Sequence, residues 1–173
     1  MNTEICESLR LVDPRPKHLE YLSKGLRQID RKELAAVSDG DTFSDLVYSA
    51  SVSKPCWVLV KDSDCGENGG VLGDDEPVAI GGVAPNFDQP DLGVPWFLAT
   101  DKIKLDCVRC WLAHHSRALI DEIQSKFPRL ENYISAENET TIRWLTWLGF
   151  ELGPPEPLGR NGEMLRRIYR ERK

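Results

Sequence analysis

Cys107-Val-Arg-Cys110 and His114 fall on one stripe of a helix, where two kinds of chemistry would suit them. With Asp106 as cap, Cys107 would sit at a helix N-terminus, where the dipole lowers a thiol pKa, as in redox Cys-x-x-Cys pairs. Alternatively, the two thiols and the imidazole would ligate zinc. A redox pair usually comes with a thioredoxin-like strand order, and zinc needs a fourth ligand that no recognisable spacing offers. Thiols packed in a core explain the same residues more simply, so no metal is expected.

Gly66-Glu-Asn-Gly-Gly-Val-Leu-Gly73 is glycine-rich but lacks the Gly-Lys-Ser/Thr ending of a P-loop. Asp62, Asp64, Glu67, Asp74, Asp75 and Glu76 would repel phosphate, and glycine at the fifth loop position with glutamate at the sixth breaks the EF-hand pattern. The stretch reads as a flexible acidic hairpin, a lip or a partner contact. More informative is Asn138-Glu-Thr-Thr-Ile-Arg-Trp-Leu-Thr-Trp-Leu-Gly-Phe150. Asn138 can cap a helix by accepting from an amide of the first turn, and Ile142, Leu145, Leu148, Trp144 and Trp147 form a broad apolar face. Gly149 stops that helix and Phe150 begins the next element.

The elements that must position these residues follow from periodicity. Ile5 to Val12 reads as a strand, closed by Asp13-Pro-Arg-Pro16. His18 to about Ala36 reads as one helix, with Leu19, Leu22, Leu26 and Ile29 at helical spacing, and Asp41 to about Ser51 as a second. Cys56–Val60, Val78–Val83 and Val94–Ala99 are compact apolar runs that suit central strands. Asp106 to Phe127 is the longest predicted helix, ended by Pro128. Leu130–Ala136 is a fifth strand, the Asn138 helix follows, and Phe150–Leu152 with Met164–Arg170 would close the sheet as a hairpin.

A chain of 173 residues, 40% hydrophobic and 29% charged, suits one folded domain, residues 1–173, with a sizeable core. The start shows no basic segment followed by an apolar run, and no stretch approaches the roughly 18 apolar residues of a membrane span. No membrane association and a cytoplasmic location are therefore expected. Cys6, Cys56, Cys65, Cys107 and Cys110 make an odd count without a secretion signal, which argues for reduced thiols. The net charge of −6 argues against nucleic acid as a partner, although basic residues crowd the C-terminus from Arg160 to Lys173.

The Asn138–Phe150 segment resembles the last motif of the GNAT superfamily, the acetyl-CoA-dependent N-acetyltransferases: Asn-x-x-Ala, an amphipathic helix, then Gly-Phe. Thr141 stands where the family usually has Ala, and Leu145 where many members carry a Tyr that protonates the departing thiolate. The predicted element order β, α, α, β, β, β, α, β, α, β, β is also that of the GNAT fold. The resemblance implies an α/β, α+β architecture, with a mixed, mostly antiparallel sheet of about six or seven strands flanked by about four helices. Pro95-Trp-Phe-Leu-Ala-Thr-Asp101, Leu130-Glu-Asn-Tyr-Ile134 and Arg143–Phe150 look like small acetyltransferase-like proteins of short-tailed lytic phages, which implies a phage origin and a host cytoplasm.

In that family the fourth and fifth strands splay and the pantetheine arm of the acyl donor enters between them. The resemblance therefore implies that Phe97, Leu98 and Ala99 line the arm, that a backbone N–H there stabilises an oxyanion, and that Asn138 helps position the acyl group. The family's pyrophosphate turn is glycine-rich, whereas Thr100-Asp-Lys-Ile-Lys-Leu-Asp-Cys107 contains no glycine. Lys102, Lys104 and Arg109 would supply compensating cations against Asp101 and Asp106. Glu137, His114 and His115 are candidate bases, Glu137 foremost, and Tyr133 a candidate acid. Two readings stand: an N-acyltransferase that takes acetyl-CoA or a related thioester and acylates an amine of a protein or small molecule, and a GNAT-shaped binding protein without catalysis that docks a protein partner.

Overall fold

The computed structural model describes residues 9–61 and 75–172. Cys6, Cys65, the glycine-rich stretch 66–73 and the first part of the predicted Ile5–Val12 strand lie outside those residues. The chain forms β1 (Leu9–Val12), α1 (Pro16–Gly25), α2 (Gln28–Val37), α3 (Thr42–Val52), β2 (Cys56–Lys61), β3 (Pro77–Pro85), β4 (Leu92–Ala99), a 3-10 turn (Asp101–Lys104), α4 (Asp106–Lys126), β5 (Arg129–Ser135), α5 (Glu139–Trp147), β6 (Glu151–Pro157) and β7 (Met164–Glu171). The seven strands make one sheet in the order β1-β2-β3-β4-β5-β7-β6. Every pairing is antiparallel except β4 with β5, which the long α4 crossover makes parallel.

Side-chain alternation divides the core in two. Val58, Val60, Ile80 and Leu98 point to the face covered by α1 and α3, where Leu19, Leu22 and Leu46 meet them. Leu59, Ala79 and Ala99 point to the opposite face, against Val108 and Trp111 of α4. On that second face Leu130, Ile134 and Ile168 pack with Ile123 of α4 and Leu145 and Leu148 of α5. The sheet is therefore buried on both sides, which is why its central strands read as near-continuous apolar runs.

Where one helix is expected from His18 to Ala36, the structure has two. The chain leaves α1 at Gly25 so that Leu26 can bridge to Thr100 and the Arg27 N–H can donate to the Ala99 carbonyl at 2.9 Å. Five helices result in place of about four, because strand β4 competes with the helix for the backbone groups of residues 26 and 27. Helical periodicity continues across the break, so side-chain spacing alone gives no sign of it.

Candidate active site

Strands β4 and β5 pair only at Leu92–Arg129 and Gly93–Leu130, although both run on for several residues. At that junction a Cβ on Gly93 would lie 2.7 Å from Val83 Cγ1 and 2.8 Å from Phe127 Cγ, so only glycine lets the strand and the end of α4 approach so closely. Beyond it the strands part. The register with β3 decides what β4 offers to the gap. Thr100 N–H donates to the Val78 carbonyl, so alternate residues 94, 96, 98 and 100 turn their backbone groups to β3. Pro95, Phe97 and Ala99 turn theirs toward β5.

Two of those three are satisfied. The Pro95 carbonyl accepts from Asn132 Nδ2 at 2.7 Å. Ala99 donates its N–H to Asp30 Oδ2 at 2.8 Å and accepts from the Arg27 N–H. Phe97 N–H and C=O have no partner among the described residues. Its ring meets Trp144 at a centroid distance of 5.3 Å, and Trp144 Nε1 is itself buried without a partner. Buried polar groups are usually paired, so orphan groups that meet in one place mark a site for a polar ligand.

Helix α2 spans the top of the gap with two carboxylates one helical turn apart. Asp30, wholly buried, accepts from Arg27 Nε at 2.9 Å and from an Arg27 terminal nitrogen at 2.7 Å, besides holding Ala99. Glu33 reaches the other strand: its Oε1 accepts from the Ser135 N–H and from Asn138 Nδ2, both at 3.0 Å. Burial raises the Glu33 pKa above the ordinary carboxylate value, and the charge of Asp30 adds to the rise, while the bonds from Asn138 and Ser135 oppose it. The second Glu33 oxygen has no partner among the described residues.

Two cavities meet at Phe97 and Trp144. One, of about 700 Å³, passes through the sheet at the splay and is lined on the α2–α3 side by Glu33, Leu34 and Tyr48 and on the α4–α5 side by Leu112, Leu119 and Leu145. The other, a groove of about 1190 Å³, runs from Phe97 outward between α4 and α5, past Leu112, Trp147, Lys104 and Arg109.

The expected site residues divide between these spaces. Phe97 lines both, and Tyr133 lines the through-sheet cavity with Glu33. Leu98 directs its backbone to β3 and its side chain into the α1–α3 core. Asn138 lines the groove and caps α5, accepting from the Thr141 N–H at 3.4 Å. Glu137 also lines the groove, largely exposed and 3.3 Å from Lys32 Nζ. Lys104 and Arg109 sit on the groove wall, each beside an acid: Asp101 at 2.6 Å and Asp106 at 3.6 Å. Lys102 turns the other way, to Glu76, and lines neither cavity.

His114 and His115 bond back to the carbonyls of Cys110 and Trp111 at 2.9 and 2.8 Å and line neither cavity. Cys107 is free and packs on the α4 core, whereas Cys110 is disulfide-bonded, against the expectation of reduced thiols throughout. Among the described residues no group of three or more His, Cys, Asp or Glu side chains could hold a metal ion. Glu33 and Trp144 were not expected at the site. Asp30 and Glu33 at i, i+3 on a helix with a buried stripe are the one signal in the chain, and it becomes legible only once α2 is known to start at Gln28.

This architecture is the GNAT fold: a seven-stranded, mostly antiparallel sheet with helices on both faces and a splay between β4 and β5. Over 96% of its length the chain is similar to 94% of a ribosomal-protein-S5-alanine acetyltransferase from Vibrio fischeri, with a TM-score of 0.65 at 12% identity. It is likewise similar to a GCN5-related N-acetyltransferase from Kribbella flavida, with a TM-score of 0.64 at 15% identity over 95% of this chain and 98% of that one. A spermidine N-acetyltransferase from Vibrio cholerae, solved with CoA and spermine, gives 0.61 at 8% identity over 95% and 96%. No family model and no curated protein matches the sequence.

Proposed function

We propose that the protein is an N-acyltransferase that takes an acyl-CoA, acetyl-CoA foremost, and acylates an amine. The observation that carries this reading is the single unpartnered backbone unit of β4, Phe97, facing a gap where two cavities meet. CoA-bound structures of the same fold support the choice of donor.

The residues present suit such a donor. The amide-bearing arm would lie in the groove against the Phe97 N–H and C=O and Trp144 Nε1, with Asn138 at its side and its phosphates toward Lys104 and Arg109. A bound acyl-CoA supplies a thioester whose carbonyl carbon an amine attacks, a C–N bond replacing the C–S bond and the sulfur leaving as thiolate. The Phe97 N–H is aimed to donate to the oxygen that gains charge, in a water-poor setting that strengthens the bond. The free oxygen of Glu33 takes the proton of the attacking amine, its raised pKa matching it better to that task than an ordinary carboxylate. Leu145 has no proton to give, and a thiol of pKa about 8.5 leaves as thiolate without extreme cost near neutral pH. We assign the return of a proton to Tyr133 in the same cavity; Tyr133→Phe lowers kcat with the KM for acetyl-CoA unchanged, and an unchanged kcat removes the assignment.

Melting of the purified protein with acetyl-CoA tests the reading. Ligand at 100 times Kd stabilises by about 2.7 kcal/mol, and a chain of this size gains about 2–4 °C per kcal/mol. A rise of about 5 °C or more is expected, and Lys104→Glu with Arg109→Glu should reduce it. Phe97→Pro removes the donor without touching the ladder to β3 and should lower kcat about 10²- to 10³-fold. Phe97→Leu, which keeps the N–H, is the control. No melting shift at millimolar acetyl-CoA defeats the enzyme reading and leaves the second one, a GNAT-shaped binding protein, which Leu145 and the acids lining the groove beside Lys104 and Arg109 favour.

A further inference from the structure

The through-sheet cavity has an unusual charge pattern. Among the described residues that line it, Glu33 is the only Asp, Glu, Lys, Arg or His. Around Glu33 on the α2–α3 side the wall is mostly carbon, from Leu34, Val37, Val52 and Trp96, with Tyr48 and Ser49 beside them. Trp96 is fixed there, its Nε1 donating to Ser53 Oγ at 2.8 Å, which leaves ring carbon toward the cavity. The rim is apolar too: Val37 and Tyr48 are each 63% exposed and Leu158 51%.

From this pattern we infer the acceptor's class: a small primary amine bearing one positive charge on an apolar, ring-sized body, with its nitrogen at Glu33 and its body against Leu34, Tyr48, Val52 and Trp96. The inference rests on the N-acyltransferase reading above. One carboxylate compensates one ammonium, whereas a polyamine would carry further charges into apolar walls with nothing to pair them, at a cost of several kcal/mol each. An anionic acceptor would meet Glu33 and no cation. A peptide N-terminus would bring several backbone amides against a mostly carbon wall with few hydroxyls to meet them, where unpaired amides are costly. A cavity of about 700 Å³ accommodates a small amine together with the acyl end of the donor. Glu33 would serve twice, pairing the ammonium and taking the proton whose loss leaves a neutral amine; the second proton, which the nitrogen sheds on forming the amide, replaces the one that Tyr133 gives to the thiolate.

The test is calorimetric titration of the protein with 2-phenylethylamine, spermidine and an alanine-initiated tripeptide, without donor, followed by mass-spectrometric product analysis with acetyl-CoA present. Phenylethylamine is expected to bind, and to be acetylated with a kcat/KM at least 100-fold above the other two. Glu33→Gln should weaken phenylethylamine binding 10-fold or more while the acetyl-CoA melting shift persists, which also shows that the variant folds. Val37→Asp, at an exposed rim position, should lower kcat/KM for phenylethylamine and raise that for spermidine, because the added carboxylate breaks the apolar wall and pairs one of the polyamine's further charges. Preference for spermidine or the tripeptide overturns the inference, as does phenylethylamine binding indifferent to Glu33→Gln. In either case a retained acetyl-CoA shift leaves the acyltransferase reading standing. Phenylethylamine binding that depends on Glu33 without any acetyl-CoA binding would uphold the amine site and defeat the acyltransferase reading.

Discussion

Replacing Glu33 by Gln separates stability from turnover. A carboxyl whose folded pKa lies above its unfolded value of about 4.5 binds protons more readily in the folded state. Its contribution to stability is complete below pH 4.5 and declines as pH rises through the folded pKa, so at neutral pH the carboxylate is held at a cost. Gln keeps an oxygen for Ser135 and Asn138 and carries no charge. Glu33→Gln is therefore expected to melt at pH 7 no lower than wild type, to flatten the pH dependence of unfolding above pH 4.5, and to lose transfer about 10²- to 10⁴-fold. A lower melting temperature would mean that the charged form stabilises the fold. Asp30→Ala leaves the buried Arg27 guanidinium and the Ala99 N–H unpaired, and denaturant titration should show a loss of about 3–5 kcal/mol. Neither role is legible from residue type, since Asp30 and Glu33 lie in a charged run, Asp30-Arg-Lys-Glu33, that reads as a solvated helix face.

At the scale of elements, most of the pattern is local and was readable. Asn138 does cap α5, Gly149 takes a φ of +87° at its end, and Phe150 packs under the helix that the glycine closes. Strands β2, β3 and β4 lie where apolar runs place them, because burial on both faces demands such runs. What periodicity missed is the break between α1 and α2, where a strand edge draws the backbone out of helical pairing. It also gave no hint of Gly93, which looks like an ordinary turn-side glycine. Gly93→Ala would push Phe127 and Val83 away from the junction where β4 and β5 meet. A loss of about 1–3 kcal/mol is expected in chemical unfolding, with a larger proportional loss of acetyl-CoA affinity if that junction sets the splay. Equal acetyl-CoA affinity in the variant would show that the splay is set elsewhere.

At the scale of the whole molecule, the site is a gap in a hydrogen-bonded ladder, bounded by five elements from across the chain. Phe97 comes from β4, Glu33 from α2, Asn138 and Trp144 from the cap and middle of α5, and Lys104 and Arg109 from the 3-10 turn and the start of α4. Its charge layout follows the same division: cations and acids together at the outer groove, and one carboxylate in a mostly apolar through-sheet cavity. The sequence by itself determined the order of the strands, the cap and stop of α5 and the fold class, because capping, periodicity and burial act over a few neighbouring residues. Only the tertiary structure decided which β4 backbone unit stays unpaired, that α2 places one carboxylate on each splayed strand, and that Lys102 points away from the groove. Those outcomes depend on register between strands and on the line of a helix across them, and both are set by contacts between residues tens of positions apart.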